Sequence, residues 1–142
     1  MRKYISCLLT LCVITLIIGC DKSTSECDYI VEVSKKDYSD GPYDSSTKVQ
    51  DLAWDGTCLT VTFSYAGGCE DHSYDFVSDG SIAESLPPII TLGLIHDNTD
   101  NCDALITELV TVDILDLPQL GDYGSIIFKF KGDDSAGYLI EF

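Results

Sequence analysis

The stretch CLTVTFSY, residues 58–65, sets Leu59, Val61, Phe63 and Tyr65 on one side of an extended chain and Cys58, Thr60, Thr62 and Ser64 on the other. Side chains alternate across a strand, so this strict period of two predicts a strand with one face in a core and the other polar or bridged. Working outward, Tyr29, Val31 and Val33 share a face of an earlier strand, and residues 36–48 are rich in turn formers and read as a surface loop. Downstream, Ala66-Gly67-Gly68 ends the strand and residues 72–77 resume one. After a loop around Asp79-Gly80, Pro87-Pro88 introduces residues 89–96, IITLGLIH, whose nearly continuous apolar run suits a central strand buried on both faces.

The acidic stretch 97–103, DNTDNCD, lacks the residue order of an EF-hand and reads as a solvated turn. Residues 104–115 form a long strand-like segment with Glu108 among apolar positions. Ile126, Phe128 and Phe130 alternate in another, and residues 132–137 connect it to a terminal strand, 138–142, as a hairpin. With no amphipathic stretch of helical period after the N-terminus, the expected fold is all-β: an immunoglobulin-like antiparallel β-sandwich of seven or eight strands, with a small β-barrel as the alternative. Trp54 is expected in the core near Cys58, while Tyr38 and Tyr43 are open to a stacking role.

The N-terminus carries Arg2 and Lys3, an apolar run over residues 5–18, and then Gly19-Cys20 and Asp21-Lys22. This is the pattern of a secretory signal, and the run is shorter than the roughly 20 residues of a membrane-spanning helix. Ile17-Ile18-Gly19-Cys20 resembles the lipobox of bacterial lipoproteins. That resemblance implies cleavage before Cys20 and a diacylglyceryl thioether on its sulfur, the membrane being the partner through that lipid. The domain plan is then a signal peptide over 1–19, a lipidated tether over 20–26 and one β domain over 27–142. Asp21 resembles the inner-membrane retention signal of enteric bacteria, a rule that does not extend to all bacteria. The bacterial cell envelope is the expected location, with the outer membrane or cell surface favoured over the inner membrane.

The whole chain has 8 Lys and Arg against 24 Asp and Glu. Removing residues 1–19 takes away Arg2 and Lys3 but no acid, leaving 123 residues and a net charge of −18. Nucleic acid is thereby disfavoured as a partner, because duplex binding draws on cationic neutralisation of phosphates. Cys27, Cys58, Cys69 and Cys102 remain beyond Cys20, an even number that outside the cytoplasm favours disulfides. Three pairings satisfy the count; Cys27 with Cys58 and Cys69 with Cys102 is preferred.

The segment SYAGGCEDHSYDF, residues 64–76, holds Cys69 and His72, and IHDNTDNCDALITE, residues 95–108, holds His96 and Cys102. If the strands beginning at His72 and ending at His96 are antiparallel neighbours, all four residues meet at one edge. A disulfide and a tetrahedral Cys69, His72, His96, Cys102 site for zinc or copper exclude each other, since the metal needs both sulfurs as thiolates. The disulfide is preferred, with the metal site as the alternative. A hybrid would join the two histidines to Asp71, Asp97 or Glu108 around a cation. Cys69 is poorly placed as a nucleophile, because Glu70 and Asp71 disfavour a thiolate. No phosphate loop, nucleophile elbow or haem attachment motif is present, so no catalytic residue is assigned and the chain is read as a binding or structural module, not an enzyme. The two segments together resemble a group of small predicted bacterial lipoproteins with a GGC-x2-H element and a later H-D-x4-C-x-A-x-I-T-E element. The resemblance spans residues 64–108 and implies that the two Cys/His elements belong together.

Overall fold

In the computed structural model the described residues are 26–133 and 137–142; the signal segment, Cys20 and nearly all of the tether lie outside them. Eight strands follow in order: β1 (Tyr29–Val33), β2 (Lys48–Trp54), β3 (Leu59–Gly67), β4 (Ser73–Ala83), β5 (Ile89–Asp97), β6 (Ala104–Asp113), β7 (Ser125–Phe130) and β8 (Tyr138–Glu141). The all-β expectation of seven or eight strands is met, and the alternation over residues 59–65 is the inner face of β3: Leu59, Val61 and Phe63 are fully buried and Tyr65 nearly so.

The strands form one sheet in the order β2-β3-β6-β1-β4-β5-β7-β8. Its two outer strands approach each other. The Tyr138 hydroxyl donates to the Val49 carbonyl at 2.9 Å, and the Trp54 and Phe142 rings meet edge to face at 5.4 Å. The sheet is thus nearly closed, as in a barrel, and its inner face is the core: Val31, Phe63, Phe76, Leu92, Val112, Ile126 and Phe128 pack inside it. The pairing is mixed. β1 runs parallel to both β4 and β6, and β5 runs parallel to β7, while the other pairs are antiparallel. β1 therefore joins a β2-β3-β6 half to a β4-β5-β7-β8 half, which hairpin connections alone would not produce.

Some local readings change. The loop expected over residues 36–48 begins with a short helix, α1 (Lys35–Asp40), because the Ser34 side chain accepts from the Asp37 amide at 3.3 Å and donates to the Asp37 carboxylate, a reciprocal cap. β2 follows that loop, and its period is broken by a bulge between Val49 and Asp51 that moves the next inward residue to Leu52. The loop expected at Asp79-Gly80 is instead a bulge within β4, where Gly80 takes a φ of 74°. Trp54 is half-buried rather than in the core, since it stands on an outer strand. Tyr43 covers the outer face of β5, where a Cβ on Gly93 would lie 2.6 Å from its ring and hydroxyl. Lys131 sits over the Tyr38 and Tyr43 rings at 4.7 and 4.5 Å, so both tyrosines are committed to packing.

Candidate functional site

The antiparallel pairing expected of the two Cys/His segments is the one the sheet makes. β4 and β5 are antiparallel, with Ser73 opposite Asp97 and Tyr74 opposite His96. Each segment leaves its strand at the same end of the sheet, and there Cys69 is bonded to Cys102. Cys27 is bonded to Cys58 at the opposite end of β3, so the two bridges staple the two ends of one strand. The preferred pairing of the four cysteines is the pairing in the structure.

Under the Cys69–Cys102 bridge lies a chain of buried polar groups. Thr47 Oγ1 is 2.8 Å from His96 Nδ1, and His96 Nε2 is 3.1 Å from His72 Nδ1. His72 Nε2 lies 3.5 Å from Asp100 Oδ2, with the two side chains 4% and 2% exposed, and it makes no hydrogen bond. Giving His72 Nε2 the proton that faces the carboxylate sets the rest: His96 Nε2 donates to His72 Nδ1, and the Thr47 hydroxyl donates to His96 Nδ1. Tyr65 packs edge to face on both imidazoles, at 4.7 and 4.4 Å, and accepts a 2.9 Å hydrogen bond from the Tyr74 hydroxyl. Burial, followed by that bond, pushes the Tyr74 phenol far above its ordinary range.

The surrounding loops are shaped to hold this chain. Asp100 Oδ2 accepts from the amides of Cys69 and Glu70 at 2.7 and 3.2 Å, and Oδ1 accepts from Cys102 at 2.8 Å. The Cys69 amide does most to hold the Asp100 carboxyl below the usual carboxylate range. Asn98 caps the Asp100 amide and donates to the Ala66 carbonyl at 2.9 Å. Stretch 97–103 is thus a turn with Asp97, Thr99, Asn101 and Asp103 exposed, as expected, and with Asn98, Asp100 and Cys102 turned inward to order it. Gly67 has no room for a side chain: a Cβ there would lie 3.0 Å from His72 Nε2 and 3.1 Å from the Tyr65 ring. Gly68, at φ 106°, turns the chain toward Cys69.

Of the acids considered as partners of the histidines, Asp71 and Asp97 are exposed and Glu108 stands opposite Phe63 on β6. The acid that meets His72 is Asp100. Its sequence signal is the spacing Asn98-x-Asp100-x-Cys102, in which each side chain caps the amide two residues on. With both sulfurs in the bridge, the Cys69, His72, His96, Cys102 metal set loses two ligands, and His96 spends both ring nitrogens on Thr47 and His72.

Burial, then the neighbouring His72, depresses the pKa of His96, against the opposing pull of Asp44 and Asp97. The folded pKa is therefore below the unfolded value of about 6.5, and the unfolded chain takes up the proton first as pH falls. Stability should be full above that pH and decline below it. Asp44 is pushed up by burial but held low overall by bonds from Ser46 and Asn98, so it and Asp100 lose their contributions only nearer pH 4. A melting-temperature series from pH 8 to about pH 5 should fall in the wild type and stay flatter in His96→Gln; parallel curves would show that His96 is not the group titrating.

These features define a disulfide-stapled, nearly closed β domain with a plugged polar end. No family model matches the chain, and no curated protein matches it. Among solved structures it is similar to a DUF1344 protein of unknown function from Bacteroides vulgatus, at 13% identity and a TM-score of 0.54, over 80% of this chain and 56% of that one. It is also similar to a NigD-like immunity protein from Bacteroides caccae, at 21% identity and a TM-score of 0.51, over 80% of this chain and 57% of that one. The chain spans a little over half the length of either, and at these identities the likeness is one of fold.

Proposed function

We propose that the chain is a lipid-anchored protein of the bacterial cell envelope whose β domain is a binding or structural interaction module and not an enzyme. The observation that carries this is the state of the His72–His96–Asp100 group. It is the place where catalytic residue types converge, and it is sealed, with its side chains bonded to one another and to loop amides. A general base must reach its substrate's proton, and neither imidazole faces solvent. The group closes one end of the sheet and leaves function to the surface. The fold likeness to a NigD-like immunity protein supports an interaction role. The partner is a protein, nucleic acid being disfavoured by a charge of −18, and the membrane is reached through lipid on Cys20.

Expression of the precursor in a bacterium should give a detergent-phase, fatty-acid-labelled product, and Cys20→Ser should move it wholly to the aqueous phase without label. Label or membrane partition that survived the substitution would remove the anchor from this reading.

One observation favours a second reading, a metal-binding lipoprotein. The ligand atoms of Cys69, Asp100 and Cys102 lie within 4.8 Å of one another, and His72 Nε2 is beside the carboxylate. With the bridge reduced, Asp100 would take the place assigned to His96 in a zinc or copper set. Thiol titration with metal analysis separates the two: two thiols and one metal per chain carry the second reading, and no thiol carries the first.

A further inference from the structure

The sheet has an opening that its strand order does not announce. β1 pairs with β6 only at Tyr29↔Val112 and Ile30↔Asp113, and with β4 only at Val31–Val33. Over residues 104–110, β6 has β3 on one side and, among the described residues, no strand on the other. The Thr111 amide points to that other side, where it donates to the Asp28 carboxylate at 3.0 Å. Residues two apart along a strand direct their main-chain groups alike, so Leu105, Thr107 and Leu109 present their N–H and C=O groups to the gap. Leu105 and Leu109 are 76% and 64% exposed beside it.

Among the described residues, a bridge fixes where the chain leaves β6. Continued backward along β1, the tether would run beside β6 from Thr111 downward. Instead Cys27 is held 5.8 Å, Cα to Cα, from Cys58, which stands at the start of β3 on the far side of β6. The gap is also acidic. Next to it, joined to β6 through the Asp28–Thr111 hydrogen bond, is a cleft of about 450 Å³ whose lining includes Asp28, Tyr29, Glu32 and Asp75 and no Lys or Arg. Glu108 stands on the inner side of β6, and with Asp28 and Asp75 it acts, after burial, to raise the pKa of the Tyr29 hydroxyl. Lys36, in the neighbouring hollow with Asp75, is paired with Asp40 at 3.9 Å.

We propose that the free edge of β6 over residues 104–110 accepts an extended, basic segment of a partner protein as an added strand. This rests on the reading of the domain as an interaction module. Main-chain bonds to Leu105, Thr107 and Leu109 supply the affinity, and side chains alternate between the two faces, apolar ones beside the two leucines and cationic ones toward Glu108. An inward-facing carboxylate beside a free strand edge repels acidic strands and would be buried without a partner by neutral ones, so Glu108 selects by charge. A second copy is disfavoured because it would bring one acidic surface against another.

The test uses the mature chain with Cys20→Ser and both bridges oxidised, probed with a short peptide of alternating valine and lysine and with its valine–glutamate counterpart. The Leu105, Thr107 and Leu109 amides should exchange freely in the protein alone and slow by about tenfold or more with the lysine peptide only. Thr107→Pro removes an amide that no ladder uses and should abolish protection of its neighbours. Glu108→Lys should transfer the response to the glutamate peptide, a gain that misfolding cannot mimic. Slow exchange of the three amides in the free monomer, protection that grows with protein concentration alone, or equal response to both peptides would each overturn the proposal. A partner that crosslinks to the domain yet binds Thr107→Pro as well as wild type would overturn the edge and leave the interaction reading standing.

Discussion

Replacing Phe63 by alanine is expected to cost about 3–5 kcal/mol, the range for truncating a fully buried phenylalanine. Phe63 is 0% exposed at the middle of β3, edge to face with Tyr74 at 4.9 Å and stacked on Tyr65 at 6.3 Å. These two tyrosines also pack on the imidazole of His96, so the void left by the ring would lie next to the buried polar chain. In a domain of this size the melting temperature should fall by roughly 15 °C or more. Leu139→Ala, at a side chain 55% exposed, should stay within about 0.5 kcal/mol. Urea denaturation of the two variants checks both; a Phe63 loss below about 1 kcal/mol would mean that the ring is not part of the core.

Removing either bridge should cost nearly as much. Cys27–Cys58 and Cys69–Cys102 span 31 and 33 residues, and closing loops of those lengths in the unfolded chain corresponds to about 3.7 kcal/mol each. The double variants Cys27→Ser/Cys58→Ser and Cys69→Ser/Cys102→Ser are therefore expected to be destabilised alike. Their secondary effects should differ. The second frees the loop that carries Asp100, so the pH dependence assigned to His96 should shrink. The first leaves the Asp100 loop and its bridge in place, so the pH dependence assigned to His96 should be kept. Equal, small losses in both variants would show that the loops are held by their hydrogen bonds and not by the crosslinks.

How far the chain could be read depended on whether the information was local. The alternation from Leu59 to Tyr65 is a property of one strand, and β3 was legible throughout. The meeting of His72 and His96 followed from one antiparallel pair and was legible too. β2 was not, because the bulge at Gln50 spoils the period of two that would mark it. α1 was masked by turn-forming residues, although Ser34 three positions before Asp37 is a helix-start signal. The parallel placement of β1 between β4 and β6 depends on contacts between residues as far apart as Tyr29 and Val112, and no short window contains it. Asp100 was overlooked for a different reason: among 24 acids its type says nothing, and its spacing to Asn98 and Cys102 says more.

The Cys27–Cys58 bridge also decides where the domain feels a pull. If the chain is moored to a membrane as proposed, by residues ahead of Cys27, any drag on its partner would be transmitted through that cysteine. Without the crosslink the tension would enter β1, five residues long, and strip it from its neighbours one pairing at a time. With the crosslink it passes to Cys58 at the root of β3, nine residues long and clamped between β2 and β6. Stretching between Cys27 and the C-terminus should therefore show a higher rupture force in the oxidised protein than in the reduced one, so that one covalent bond makes a small sheet a firm mooring.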